Sequence, residues 1–210
     1  MEGDPVLMPL SKRLLDITVA LGLGVLLLPL IGLLALMVWL IDGGPVFYVS
    51  ERMKTPTQAF GLVKFRSMRP DAKDGGVTGA DKADRITRTG RFLRRSRLDE
   101  VPQLWNILKG DMSFVGPRPP LRVYVQDYPQ IYGPVLRSRP GLTGLATLAY
   151  HRHEQRLLAQ CQTAAETDAV YRRACIPRKA RLDLIYQSRR NLCFDLALMW
   201  RTVFKAKKRG

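Results

Sequence analysis

Residues 17–41 read ITVALGLGVLLLPLIGLLALMVWLI, an uncharged run of 25 residues in a chain of 210. That length exceeds the ~20 apolar residues that carry a helix across a hydrocarbon core. A cleavable signal peptide is the competing reading. It is disfavoured because the stretch is too long and no small-residue cleavage site lies after it. The run gives way instead to Asp42-Gly43-Gly44-Pro45, a turn signal. Pro29 divides the run into two arms of 12 residues. Proline lacks a backbone donor and collides with the carbonyl four residues back, so a bend is expected between Ala20 and Pro29. Each arm would reach about 18 Å, partway through a core about 30 Å thick. Gly22, Gly24 and Gly32 ease the bend, and Thr18 offers a hydroxyl to a freed carbonyl. Lys12 and Arg13 precede the run, and Arg52, Lys54, Lys64 and Arg66 come after it. The positive-inside rule places both flanks in the cytoplasm, which a re-entrant hairpin satisfies and one straight crossing does not; the alternative is an ordinary kinked spanning helix, since prolines are common in membrane helices.

Working outward, the charge lies beyond the apolar run. The chain carries 34 Lys and Arg against 18 Asp and Glu, a net charge of +16. Residues 42–210 hold 32 of those bases and 15 of the acids. Such a field attracts a polyanion: nucleic acid, an anionic membrane surface or a phosphorylated substrate. Aromatic residues make up 8% of the chain and do not alternate with the bases as stacking platforms would, which argues against nucleic acid. Cys161, Cys175 and Cys193 include no CxxC pair, and His151 and His153 are the only histidines. A disulfide framework or a zinc site is therefore not expected, and the cysteines read as packing residues in a reducing compartment.

Pro45–Val49 and Phe60–Phe65 read as short strands joined by a loop at Thr55–Gln58. Asp71–Asp84 reads as a mobile loop. The next helix is expected over Thr89–Leu98, with Arg88, Arg91, Arg94 and Arg95 forming a basic stripe. Val101, Leu104, Trp105 and Leu108 repeat at helical spacing up to Gly110, with Asp99 placed as the N-cap. Glu154–Arg173 reads as one further helix and Arg181–Phe204 as a long amphipathic one. Its basic end, Lys205 to Arg209, suits either anionic lipid heads or plain solvent.

Three places could carry chemistry. Asp99-Glu100 puts adjacent carboxylates just after Arg94, Arg95 and Arg97. A carboxylate attacking phosphorus approaches a group already negative, so it needs arginines and a divalent cation nearby. Taken alone, such a pair is more often only a helix cap. Gly116-Pro117-Arg118-Pro119-Pro120 holds Arg118 in a stiff loop suited to phosphate or a flat ring, or else is a rigid connector. Lys64-Phe65-Arg66-Ser67-Met68 places two cations at a strand end.

The ordered set KRLLD, GPVFY, KFRSM, RFLRRSRLDEVPQLWNILKGDMSFVGPRP and RPGLTG, from Lys12 to Gly144, resembles the bacterial sugar transferase family, the monotopic phosphoglycosyl transferases. The resemblance implies a re-entrant membrane helix bent at Pro29. It also implies Asp99 as nucleophile, with Glu100 as catalytic partner and ligand of Mg²⁺. Lys64, Arg66 and Arg94 would serve as substrate-binding cations, and Pro117, Arg118 and Pro119 would receive the uridine. Two departures stand out. Leu28 replaces the serine often found before the membrane proline, and Leu145-Ala146-Thr147 replaces a Trp-Ala-Gln run.

The chain is therefore expected to be α+β. An N-terminal cytoplasmic flank (1–13) and a proline-broken re-entrant membrane helix (14–41) precede a small cytoplasmic catalytic domain (42–210) of short strands and amphipathic helices. The implied reaction moves a sugar-1-phosphate from a UDP-sugar to polyprenyl (undecaprenyl) phosphate at the bacterial inner membrane. UMP is released through a phosphosugar-aspartate, with Mg²⁺ as cofactor. Self-association is left open. The rivals are a membrane glycosyltransferase releasing UDP and a basic module binding lipid or nucleic acid.

Overall fold

The computed structural model describes residues 8–69 and 84–207, with side chains up to Phe204. All but Asp84 of the expected 71–84 loop, and the basic side chains from Lys205 onward, lie outside the described residues. The apolar run forms the core of α1 (Leu10–Asp42), one helix of 33 residues that passes through Pro29 without interruption. It is long and apolar enough to cross a membrane, with a mean hydropathy of 2.7 over its most apolar window. Only 11% of that window is buried in protein, so α1 is not the core helix of a soluble domain. Val25, Leu26, Leu28, Leu33 and Leu40 all face outward.

One face of α1 nevertheless packs on the rest of the chain along its whole length. Ala20 joins a core with Leu62, Ile107, Met112, Tyr186 and Leu198. Leu34 and Val38 join another with Phe65 and Leu93. Both ends are tied down by polar groups. Near the start, Lys12 pairs with Asp195 at 2.5 Å. The Arg13 guanidinium donates to the carbonyls of Ile107 and Leu108, each at 2.7 Å. At the other end, Gly43 adopts φ 76 and stops the helix. Arg66 donates to the carbonyls of Asp42 (2.6 Å), Gly44 (2.7 Å) and Gly43, the acceptors a helix end leaves open. The Asp42 carboxylate accepts from the hydroxyls of Thr87 (2.8 Å) and Thr89.

The expected strands form an antiparallel hairpin, β1 (Phe47–Met53) and β2 (Ala59–Phe65), with Tyr48 opposite Lys64. The first strand begins two residues later than expected and runs four further. Thr55 closes the loop by accepting from the Gln58 amide at 2.9 Å. Helix α2 (Arg88–Ser96) is capped by Thr87, whose hydroxyl accepts from Gly90 N at 2.9 Å. Helix α3 (Gln103–Lys109) ends at Gly110, φ 84, as the sequence indicates. Buried Asn106 stitches α3 to the edge of β2. Its Nδ2 donates to Gly61 O (2.7 Å) and its Oδ1 accepts from Val63 N (3.0 Å). A helix side chain thereby completes the ladder of an edge strand and fixes the residue beside Lys64.

Two three-residue strands, β3 (Ser113–Val115) and β4 (Gly141–Thr143), pair in parallel. Between them lie α4 (Arg122–Asp127) and α5 (Pro129–Val135). After β4 come α6 (Leu145–Leu158), α7 (Ala164–Val170), a π-helical turn at Tyr171–Cys175, α8 (Ile176–Arg189) and α9 (Leu192–Lys207). The expected helix over 154–173 is thus two helices, because Thr163 starts a new one by accepting from Glu166 N at 3.2 Å. The expected helix over 181–204 also divides, at Arg190, where Asn191 accepts from Phe194 N at 2.8 Å. Tyr124, Val135, Leu158, Cys175 and Ile176 form the core of this part. Cys161 and Cys175 are buried and Cys193 is exposed, all as free thiols.

Candidate active site

The site begins where α2 ends. Arg97 takes a left-handed backbone, φ 62 and ψ 14, the sole non-glycine residue with positive φ among the described residues. That conformation costs a side-chain-bearing residue about 1–2 kcal/mol, so its surroundings must hold it. Its Nη2 lies 2.6 Å from His151 Nε2 on α6, and its Nη1 lies 3.8 Å from Glu100. The reversal leads into a 3₁₀ turn, Leu98–Glu100, that turns Asp99 inward. The N-cap role expected for Asp99 is not observed. Helix α3 starts at Gln103, four residues later, with Pro102 at the cap position and no side-chain cap. Proline fixes φ near the helical value and opens the helix without a capping donor to satisfy.

The two carboxylates face different surroundings. Glu100 accepts from Arg118 Nη2 at 2.7 Å and lies 3.5 Å from Lys64 Nζ. Burial pushes its carboxyl up, but the charges of Arg118, Lys64 and Arg97 outweigh that and hold it well below the usual range. Asp99 is 7% exposed, and its Oδ1 is fully enclosed with no hydrogen-bond partner. Burial, and then the neighbouring Glu100 charge, hold the Asp99 carboxyl above its ordinary value of 3.8. Lys64, Arg94 and Arg97 oppose that rise. Arg94 Nη1 is likewise enclosed without a partner.

The loop that carries Arg118 is rigid for reasons written in its neighbours. Pro117, Pro119 and Pro120 are buried while Arg118 is half-buried between them. Gly141 N donates to Pro117 O (2.8 Å) and Met53 N to Pro120 O (3.0 Å), so both ends are pinned. At Gly116 a Cβ would collide with the Arg139 carbonyl, which explains the glycine there. The Glu100 charge raises the Arg118 guanidinium above its ordinary value against the cost of burial. Burial lowers Lys64, which Glu100 partly offsets and Arg118 and Arg52 reinforce.

The structure thus gathers Lys64, Arg94, Asp99, Glu100 and Arg118, with Pro117 and Pro119 as the frame of the arginine loop. It does not bring Arg66 into this group, because that guanidinium is occupied by the carbonyls at the end of α1. Three further residues join: Arg97, which the sequence placed beside the carboxylates, and Arg52 and His151, which it did not single out for the site. Arg52 lies close enough to Lys64 and Arg118 to act on both charges. Arg97 shapes the turn, and His151 holds Arg97. The position of Arg52 near the end of a hairpin strand was the one available hint; nothing local marks His151. The basic stripe expected on α2 divides, with Arg88, Arg91 and Arg95 exposed and Arg94 turned toward Asp99.

Four cations (Lys64, Arg94, Arg97 and Arg118) therefore act on the two carboxylates, with Arg52 behind them acting on Lys64 and Arg118. Among the described residues no three His, Cys, Asp or Glu side chains converge. A soft-metal cage is not built from them. A hard cation fits better, with carboxylate oxygen from Asp99 or Glu100 and the remaining ligands from phosphate and water.

The chain is similar to known bacterial transferases. UDP-glucose:undecaprenyl-phosphate glucose-1-phosphate transferase of Escherichia coli (strain K12) is 36% identical over 98% of this chain and 44% of that protein. The enzyme of the same name from Caulobacter vibrioides is 42% identical over 67% of this chain and 54% of its own length. UDP-N-acetylgalactosamine-undecaprenyl-phosphate N-acetylgalactosaminephosphotransferase of Aeromonas hydrophila is 36% identical over 66% of this chain and 34% of its own. The chain spans about half or less of the length of these relatives. The profile of the bacterial sugar transferases matches residues 7–209, from before α1 to the end of α9, and on that match the chain belongs to the bacterial sugar transferase family.

Proposed function

We propose that this chain transfers a sugar-1-phosphate from a UDP-sugar to polyprenyl phosphate, releasing UMP. The reading is carried by one observation: an enclosed, unpartnered Asp99 oxygen beside a surplus of cations. A surplus of that kind suits a diphosphate. Asp99 attacks the β-phosphorus, the bond from that phosphorus to the bridging oxygen of the α-phosphate breaks, and UMP leaves with the bond's electrons. The group left on the enzyme is a sugar-phosphoryl aspartate. An oxygen of polyprenyl phosphate then attacks the same phosphorus, Asp99 regains its carboxylate, and polyprenyl diphosphate-sugar departs. Desolvation favours this role, since a carboxylate stripped of water is a stronger nucleophile. Arg118 and Lys64 hold Glu100 in place and offset phosphate charge, and the arginine's flat fork can also meet the uridine. Mg²⁺, held by Glu100 and by phosphate, would neutralise charge on the diphosphate.

The membrane placement has support of its own. Both ends of α1 are bonded to the same folded domain. A perpendicular crossing would drag one set of charged anchors through a hydrocarbon core of about 30 Å. A segment that enters and leaves on the cytoplasmic side, bent at Pro29, avoids that. It also sets Asp99 near the level of lipid headgroups, where a soluble donor and a lipid acceptor meet. The named relatives act on glucose and N-acetylgalactosamine donors, so these head the panel for a test.

That test is nucleotide release by the protein in lipid vesicles with Mg²⁺, undecaprenyl phosphate and a series of UDP-sugars. UMP from the native protein and none from Asp99→Asn is the expected result. Release of UDP, or an undiminished Asp99→Asn variant, would overturn the reading.

A further inference from the structure

The turn that carries Asp99 is gripped by a side chain from far along the sequence, beyond the motifs of Lys12 to Gly144. Glycine adopts a left-handed backbone without strain and is the usual residue where a helix stops that way. This chain keeps arginine at that position, and both arms of the guanidinium are engaged. Nη1 of Arg97 faces Glu100 Oε2 at 3.8 Å, and Nη2 meets His151 Nε2 on α6 at 2.6 Å, across 54 residues of sequence. Arginine has donors and no acceptor. A contact that short therefore requires a lone pair on Nε2, which makes His151 a neutral imidazole with its proton on Nδ1.

We infer that His151 is a positioning residue: it holds Arg97 against Glu100 and thereby fixes the turn that aims Asp99 into the site. The inference rests on the proposed role of Asp99 and adds what keeps that carboxylate aimed. The backbone of Arg97 is part of the same turn, its amide donating to Arg94 O at 3.4 Å and its carbonyl accepting from Glu100 N at 3.3 Å. A guanidinium pulled out of place would carry the turn with it. The next residue on that face of α6 points the same way. Glu154, three positions on, pairs with Lys179 of α8 at 2.8 Å, and its charge raises the Arg118 guanidinium. Arg97 and Arg118 lie on opposite oxygens of Glu100, so one helix face bears on both. His153, in contrast, is exposed and lies against the Tyr150 ring.

The chain has two histidines, so nitrogen NMR of isotope-labelled imidazoles can read His151 directly in the full chain in lipid nanodiscs. His153→Gln assigns the signals. At neutral pH His151 is expected to show a bare Nε2 and a protonated Nδ1. Arg97→Gly suits φ 62 but removes the guanidinium, and should return the ring to a mixture of forms. A protonated Nε2 in the native protein, or signals unmoved by Arg97→Gly, would overturn the inference. Kinetics supply the second arm. His151→Leu should lower kcat for UMP release about thirtyfold, the scale of a lost hydrogen bond to a charged group, with the KM for donor within about threefold of native. His151→Gln, whose amide oxygen still accepts, should recover kcat to within about threefold, and His153→Gln should match native. Equal losses in His151→Leu and His151→Gln, or a loss confined to KM, would also overturn it. A native protein that releases no UMP would remove the proposed reaction, while the ring signals would still decide whether His151 holds Arg97.

Discussion

Two of the buried clusters of acid and base among the described residues differ in an instructive way. In the first, Asp195 is 2% exposed, with one oxygen on Lys12 (2.5 Å) and the other accepting from the Tyr186 hydroxyl (2.7 Å). Asp16 sits beside it and takes the Phe114 amide at 3.2 Å. In the second, Glu100 Oε1 takes Arg118 and Lys64, and Asp99 keeps one enclosed oxygen open. An open oxygen is not by itself the mark of a reactive site, since Asp16 Oδ2 also lacks a partner. The balance of charge separates the two. The first cluster sets Lys12, with Arg139 acting on Asp16, against two carboxylates, and ties α1 to α9. The second sets four cations against two carboxylates, a surplus that the proposed diphosphate would meet.

The largest expected effect breaks the second cluster. Asp99→Asn should reduce UMP release at least a thousandfold, as removal of a nucleophile does. It should leave the melting temperature at neutral pH unchanged or higher. The native Asp99 carboxyl is held above 3.8, so just above that pH the folded protein binds more protons than the unfolded chain. Ionising Asp99 therefore subtracts stability as pH rises through that window. The advantage of Asp99→Asn should appear as pH climbs from about 4 and vanish below it, a trend that melting curves across pH would check. Glu100, held low, has the opposite sign: its contribution is present above 4.5 and is lost as pH falls toward its folded value.

Breaking the first cluster should do the reverse. Asp195→Asn removes the carboxylate that Lys12 touches and leaves only Asp16, with which it makes no ion pair, to offset its charge, at a cost of about 3 kcal/mol. For a chain of this size that lowers the melting temperature by about 10 °C. The protein that remains folded should release UMP within a few-fold of native. Arg118→Lys comes next. Losing the planar fork weakens a charge-assisted bond of about 2 kcal/mol, so kcat/KM for the donor should fall roughly thirtyfold while melting changes little. The smallest effect belongs to the pair Lys12→Met with Asp195→Leu. Replacing a buried ion pair by apolar side chains should bring stability back to within about 1 kcal/mol of native. A large residual loss would show that the first cluster does more than hold α1.

Much of this was legible in the sequence where the signal is local. An uncharged run makes a helix, Gly43 and Gly110 stop helices, and Thr55–Gln58 turns a hairpin. Asp99-Glu100 and Arg118 were marked by their neighbours and by the family resemblance. What stayed hidden depends on distant partners. Strands β3 and β4 have three residues each and exist because residues 113–115 meet residues 141–143 across two intervening helices. Asn106 reads as one polar position on α3, yet it completes the edge of a strand 43–45 residues away. Arg66, beside Lys64 and of the same charge, belongs to the end of α1. Asp99 matched a helix cap by position, and only the left-handed turn at Arg97 shows that its carboxylate is free for something else.

The double fastening of α1 has a mechanical consequence. A beam clamped at both ends can bow, but it cannot swing. Free membrane helices adapt to thicker or thinner bilayers by changing their tilt. With Lys12 and Arg13 gripping one end and Arg66, Thr87 and Thr89 the other, that adjustment is closed to α1. On the proposed placement the surrounding lipid would deform to fit the protein, and Asp99 would keep a constant elevation whatever membrane it is given.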